Sequence, residues 1–339
     1  MTKNLSKTFS ISLLGLFFYC IASPSLAAPI TLKMATDSGS RGSVSGNALE
    51  YWAELIETST RDTDDEIKVD IFYQDELGNQ QEVFDLLVAG EVDLMLNWPS
   101  TSYDKRFGIR YTPYLFFTWE QAIEAYEPGG WLANIYQEVH NDLGIEFFAA
   151  WPEGFAGVAT KDRYATNVED AKGIKVRTPA NFPNPQIFQA LGYDSVGLPW
   201  GDVYTSLQTG VIDGDAGNTI YWDYEYFRDL INYYVRTGHM FVTGFLTMNT
   251  NSLNSLTENQ QKIISDAALK VSEKQFKEAK QFDEHYVDLS IEHGIKYIEL
   301  SEEERAQLAK VTRDTVWPLL EQEFGEEIVE QFHINAPKK

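Results

Sequence analysis

Between residues 30 and 98 the chain repeats one pattern: a short apolar stretch, an amphipathic stretch, and another short apolar stretch. ITLKMA (30–35) alternates apolar and polar side chains as a half-buried strand does. After the loop DSGSRGSVSG, Leu49, Trp52, Leu55 and Ile56 recur at helical spacing. EIKVDIFY (66–73) alternates again, NQQEVFDLLVAG (79–90) reads as a helix stopped by Gly90, and VDLMLNW (92–98) as a strand. Strand, helix, strand, helix, strand is the grammar of a parallel α/β sheet, because parallel neighbours need a crossover of helical length.

The grammar returns later. KGIKVRTP (172–179) reads as a strand, NPQIFQALG (184–192) and GDVYTSLQTG (201–210) as glycine-ended helices, and VIDGD (211–215) follows. Phe84, Leu87, Gly90, Val92 and Asp93 match Tyr204, Leu207, Gly210, Ile212 and Asp213, each displaced by 120 residues. Two explanations fit the echo: any helix–Gly–strand junction looks this way, or two lobes share a topology. From 256 to 293 the chain has no Gly or Pro, which predicts a helix long enough to brace both lobes. KYIEL (296–300) reads as a strand and 301–332 as two helices. No low-complexity linker separates the lobes, so several crossings are expected. The expected division is 28–150 plus about 240–280 for one lobe, and 151–239 plus about 281–339 for the other.

At the N-terminus Lys3 and Lys7 precede ISLLGLFFYCIA (11–22), and SPSLAA follows with Ser25 and Ala27 spaced as at a signal cleavage site. The run is too short for a membrane-spanning helix of roughly 20 residues and predicts a secretory signal segment, 1–27, cleaved near Ala27. FFYC does not resemble the small-residue box that directs lipid attachment. Cleavage removes Cys20, the one cysteine, so the exported chain needs no disulfide and relies on an ordinary core. With 25 basic against 51 acidic side chains remaining, net charge falls to about −26. Such a surface repels phosphate backbones and argues against a nucleic-acid partner.

Catalytic motifs are missing: there is no G-x-G-x-x-G, Walker loop, G-x-S-x-G or H-E-x-x-H. His140, His239, His285, His293 and His333 show no metal spacing. VIDGDAGN begins like a calcium loop, but Gly217 and Asn218 stand in the reverse of the required order, so a turn of special backbone conformation is the better account. No metal and no cofactor is expected. Aromatic residues gather near predicted strand ends: Trp98, Trp151, Phe155, Phe182, Trp200, Tyr221 and Trp222. Ligands of open α/β sheets bind outside the carboxyl ends of the strands. Trp98 and Trp151, each following directly on an apolar strand, are the stronger candidates.

An ordered series of segments then stands out: DELGNQQEVFDLLVAGEVDLM (75–95), TPYLFF (112–117), EDAKGIKVRTPA (169–180), LGYDSVGLPWGDVYTSLQTGVIDG (191–214) and TGH (237–239) before a strand. Over nearly the whole exported length the chain resembles the substrate-binding proteins of tripartite ATP-independent periplasmic (TRAP) transporters, the DctP family. The resemblance implies an α/β, two-lobed periplasmic binding protein fold of type II-like architecture, with the ligand cleft between the lobes. It implies a monomer that captures a small organic anion, a carboxylate or a sulfonate, in the periplasm and serves small and large membrane subunits. It assigns Arg177 of the K-[IV]-R strand to the ligand carboxylate, a role suited to a planar, permanently charged guanidinium. The substrate-binding set is then Arg177, Trp98, Trp151, Asn218, Phe182 and Trp222. Two departures bear on it. Many relatives carry a second arginine where GFAG has Ala156, and Gln-Glu-Asn is replaced by 215–218, which sets Asn218 one position off register. One carboxylate on the ligand is therefore better supported than two. The alternatives are a sensory partner of a membrane kinase and a secreted lyase-type enzyme using Asp213, Glu153 or His239.

Overall fold

The structure is a computed structural model that describes residue 1, residues 28–99 and residues 101–337. The expected signal segment, residue 1 apart, lies with Cys20 outside the described residues. In chain order the first lobe begins β1 (Ile30–Thr36), α1 (Val44–Thr60), β2 (Ile67–Phe72), α2 (Gln80–Ala89) and β3 (Leu94–Asn97). A 3₁₀ segment (Lys105–Tyr111), α3 (Trp119–Tyr126) and α4 (Trp131–Asn141) lead to β4 (Ile145–Phe155). The second lobe follows as β5 (Gly157–Thr160), α5 (Val168–Ala171), β6 (Lys175–Thr178), α6 (Asn184–Ala190) and β7 (Asp194–Gly197). It continues through α7 (Val203–Thr209), β8 (Gly214–Asn218), α8 (Ile220–Phe227) and β9 (Tyr233–Arg236). The chain then returns along β10 (Phe241–Asn249) and α9 (Thr250–Asn254) to α10 (Glu258–His293), β11 (Lys296–Glu299), α11 (Glu302–Phe324) and α12 (Glu326–Asn335).

Among the described residues the strands form two sheets, ordered β2-β1-β3-β10-β4 and β11-β9-β5-β8-β6-β7. Their centres have the same plan. β1 pairs in parallel with β2 and β3, and β6 pairs in parallel with β7 and β8, the intervening helices being α1 and α2, then α6 and α7. The echo at 120 residues is this duplication. Gly90 and Gly210 both end their helices in the left-handed region, with φ 76° and 74°. Asp93 then accepts the Lys33 amide at 2.8 Å, and Asp213 accepts the Lys175 amide at 2.9 Å. The match fails at one pair: Phe84 is fully buried, whereas Tyr204 is exposed.

The chain passes between sheets at Ala156, again between β9 and β10, and along α10. Ala156 donates its amide to Met240 at 3.0 Å and accepts from Gly238 at 3.0 Å, tying the first two crossings together. α10 is 36 residues long and starts in a capping box between Thr257 and Gln260. Its first half lies on the β4 sheet, where Ser272 donates to the Ala150 carbonyl and Gln275 to that of Pro152, both at 2.7 Å. Its second half reaches the other lobe, where Asp283 receives two bonds from Arg236 of β9 at 2.9 and 3.0 Å. Among the described residues no helix is long and apolar enough to cross a membrane.

Candidate ligand-binding site

The parallel strands of the two sheets end at a cavity of about 90 Å³ between the lobes. Asp93 and Asp213 are matched by the duplication, and five residues beyond them stand Trp98 and Asn218, both on the cavity wall. Arg177 enters from β6. Its Nε donates to the Leu198 carbonyl at 3.0 Å, its Nη1 reaches Asp215 at 3.4 Å, and its guanidinium lies 5.6 Å from the centre of the Trp200 ring. Nη2 has no protein hydrogen bond among the described residues. The arginine is thus fixed by two contacts and keeps donor capacity on the cavity side.

Two bulges aim the neighbouring side chains. In β8, Gly157 pairs with Asn218 and Val158 with Ala216, which leaves Gly217 as the extra residue, at φ 102°. The turn expected at VIDGDAGN is this bulge, inside a strand. It presents Asn218, whose side chain donates to Asp215. In β4, Val242 pairs with Gly154 and Thr243 with Pro152, so Glu153 is the extra residue. The bulge delivers Glu153 to the cavity, where one carboxylate oxygen accepts the Trp98 indole N–H at 2.6 Å and the other accepts that of Trp222. The Trp222 bond joins α8 of the second lobe to β4 of the first.

The site is crowded with charge. Arg110, from the 3₁₀ segment, lies over the Tyr111 ring at 4.2 Å and donates to the Tyr111 hydroxyl. Asp37, just beyond β1, accepts from the Trp98 amide at 3.1 Å and from Gln80 at 3.4 Å. Burial pushes the Glu153 carboxyl up to about 7 and that of Asp37 up to about 6, with Arg110 pulling both back. Beneath Arg177, burial raises Asp215 and Arg177 opposes the rise. Asp223 is driven well above the carboxylate range, first by burial and then by the charge of Asp215.

Of the residues singled out from sequence, the cavity brings together Arg177, Trp98, Asn218 and Trp222, with Trp200 and Glu153 beside them. Trp151 and Phe182 lie elsewhere. β4 does not end before Trp151 but runs through Phe155, so Trp151 sits inside the strand, edge-on behind Trp98, and lines a groove beside α1 and α10. Phe182 packs on Phe324 of α11 with ring centres 6.0 Å apart. Sequence reasoning missed Arg110, Gln80 and Tyr111. Arg106 and Arg110 are one helical turn apart, and only the fold shows that Arg106 is taken by Asp104 and Asp142. Tyr111, on which Arg110 stacks, packs with Ala156 and Met240.

The residues of the enzymatic alternative are scattered. Asp213 is engaged by the Lys175 amide, and His239 is buried against Phe188, its imidazole held neutral by burial with a value near 3. Among the described residues no group of three or more His, Cys, Asp or Glu side chains could hold a metal ion.

Two similar sheets, an interlobe cavity walled by tryptophan and a half-satisfied arginine define a two-lobed solute-binding protein. Residues 35–322 match the model of the DctP family, the bacterial extracellular solute-binding proteins, family 7, and the chain belongs to this family of TRAP substrate-binding subunits. It is 25% identical over 301 residues to the ectoine-binding periplasmic protein TeaA of Halomonas elongata, covering 86% of this chain and 80% of that one. The high-resolution structure of the ectoine-binding protein from the TeaABC TRAP-transporter of that organism superposes with a TM-score of 0.82 at 21% identity, over 90% of this chain and 98% of the other. The sugar acid binding protein of Advenella mimigardefordensis, in complex with galactonate, gives 0.82 at 22% identity, over 91% and 98%. A TRAP solute-binding protein of Shewanella oneidensis with bound succinate gives 0.80 at 23% identity, over 91% and 100%.

Proposed function

We propose that this chain is exported to the periplasm, captures one small organic acid between its lobes by hinge closure, and delivers it to the small and large membrane subunits of a TRAP transporter. The observation that carries the reading is Arg177, held by Leu198 and Asp215 with Nη2 left for a ligand at the carboxyl edge of a parallel sheet. Galactonate and succinate, bound by relatives of the same fold, both carry a carboxylate. The small cavity suits a compact acid and excludes anything of peptide or oligosaccharide size.

Magnitudes constrain how such a site works. Micromolar affinity corresponds to about −8 kcal/mol. One charge-assisted bond from Arg177 supplies about 1.5–3 kcal/mol net. Tryptophan surface and water exclusion on closure must provide most of the rest. Closure needs hinges, and the paired crossings at Ala156 and 237–240, with α10 behind them, are the segments available for it.

The test is calorimetry on residues 28–339, using the tightest acid found by a thermal-shift screen. Arg177→Lys keeps the charge but loses the planar pair of donors. It is expected to weaken binding by about tenfold or more, with the ligand-free melting temperature little changed. Unchanged affinity in the lysine variant would reject Arg177 as the anchor.

A further inference from the structure

We propose that Glu153 is a positioning residue for closure: its carboxylate latches Trp222 of the second lobe to Trp98 of the first and sets how long a ligand stays bound. This rests on the binding reading above and deepens it by naming what holds the closed state. One acceptor group is shared by two lobes. Trp98, directly after β3, gives its indole N–H to one Glu153 oxygen at 2.6 Å, and Trp222 of α8 gives its own to the other. All three side chains are buried. The first bond lies within one lobe and survives opening, whereas the second exists only while the lobes are in contact. Glu153 is the extra residue of the β4 bulge and stands three positions before the crossing at Ala156. The carboxylate is therefore fixed beside the hinge while α8 moves against it.

The helix that closes the latch also backs the anchor. Next to Trp222, Tyr221 makes a second bond to the first lobe, its hydroxyl accepting the Val44 amide at the start of α1 at 3.3 Å. On the other side, Asp223 is buried against Asp215, whose carboxylate faces both Arg177 and Asn218. Occupation of Arg177 and engagement of Trp222 thus act on one element. Chemistry accounts for the acid at position 153. A carboxylate offers an acceptor on each oxygen, whereas glutamine offers one acceptor and turns an N–H donor toward the second indole. A bond that forms after encounter leaves the on-rate alone and slows dissociation.

The test uses residues 28–339 at pH 8, where a carboxyl pushed up to about 7 is ionised, with the strongest binder among succinate, galactonate and ectoine. Stopped-flow tryptophan fluorescence gives the two rates. Glu153→Gln and Trp222→Phe are each expected to raise the off-rate about tenfold with the on-rate within about twofold of wild type. Because they break the same bond, the double variant should lose much less than the product of the two effects. A readout on the unmodified chain stands even where a variant misfolds. In nitrogen-15-labelled protein, saturation with the acid should slow water exchange at the Trp222 indole N–H by about tenfold or more and leave that of Trp98 within about twofold. An off-rate within about twofold of wild type in a folded Glu153→Gln, effects that multiply in the double variant, or exchange that slows at both indoles or at neither overturns the latch and leaves the binding reading intact. Binding of none of the three probes overturns the binding reading, and the latch with it.

Discussion

At Glu153 two indole N–H groups stand where water would solvate an exposed carboxylate, and they do not fully compensate for burial. The unfolded chain gives up this proton near 4.5 and the folded chain near 7, so between those values the native state holds the extra proton. Its stabilising contribution is complete below 4.5 and is lost as pH rises through 7. Buried His140 and His239 act in the opposite sense. Their folded values, about 4 and about 3, lie below the ordinary 6.5, and their contribution is lost as pH falls. Comparing wild type with Glu153→Gln cancels the histidines. Without ligand, wild-type stability relative to the variant should fall by about 3 kcal/mol from pH 4.5 to 8, a shift of several degrees in melting temperature. A difference that does not vary with pH would show that Glu153 is not held protonated.

Among the elements, β4 does the most to build the site, because its bulge interrupts the alternation that would govern where Trp151 and Glu153 point. Gly154 makes the bulge feasible: it sits at φ 136°, and a Cβ there would approach the Trp119 ring at 3.0 Å. Gly154→Ala is expected to cost about 2 kcal/mol in denaturant unfolding and to weaken ligand binding, since Glu153 loses its aim. A variant of wild-type stability and affinity would remove the bulge from the account. No sequence pattern announces such an extra residue; Trp151 reads from sequence as a strand-end residue because nothing signals that β4 continues to Phe155, and Phe182 reads as a wall because its partner Phe324 lies on a distant helix. What is legible is periodic or local. Gly90 and Gly210 stop helices because they adopt the left-handed conformation, and Asp93 and Asp213 recur because each closes the same bond to the strand beside it. Arg177 is legible through the strand that carries it. Arg110 is not, because only the fold shows that Arg106 is held by Asp104 and Asp142 while Arg110, stacked on Tyr111, lines the cavity.

For the whole molecule, crossings at Ala156, between β9 and β10, and along α10 join the lobes without a tether, and the Trp222–Glu153 bond spans the cleft. Under the proposed hinge closure this is the contacted form, and the open form would lack the interlobe bonds. The chain from residue 28 onward contains no cysteine, so spin labels can be placed at chosen sites alone. Asp85 on α2 and Thr205 on α7 are exposed and lie on matching helices of the two lobes. The measurement that tests the central claim most directly is the distance between labels on Asp85→Cys and Thr205→Cys, with and without the tightest-binding acid. Closure on the ligand predicts a shift to a shorter, narrower distribution, absent when Arg177→Lys is added. A distribution unchanged by saturating ligand in the otherwise wild-type chain would contradict it.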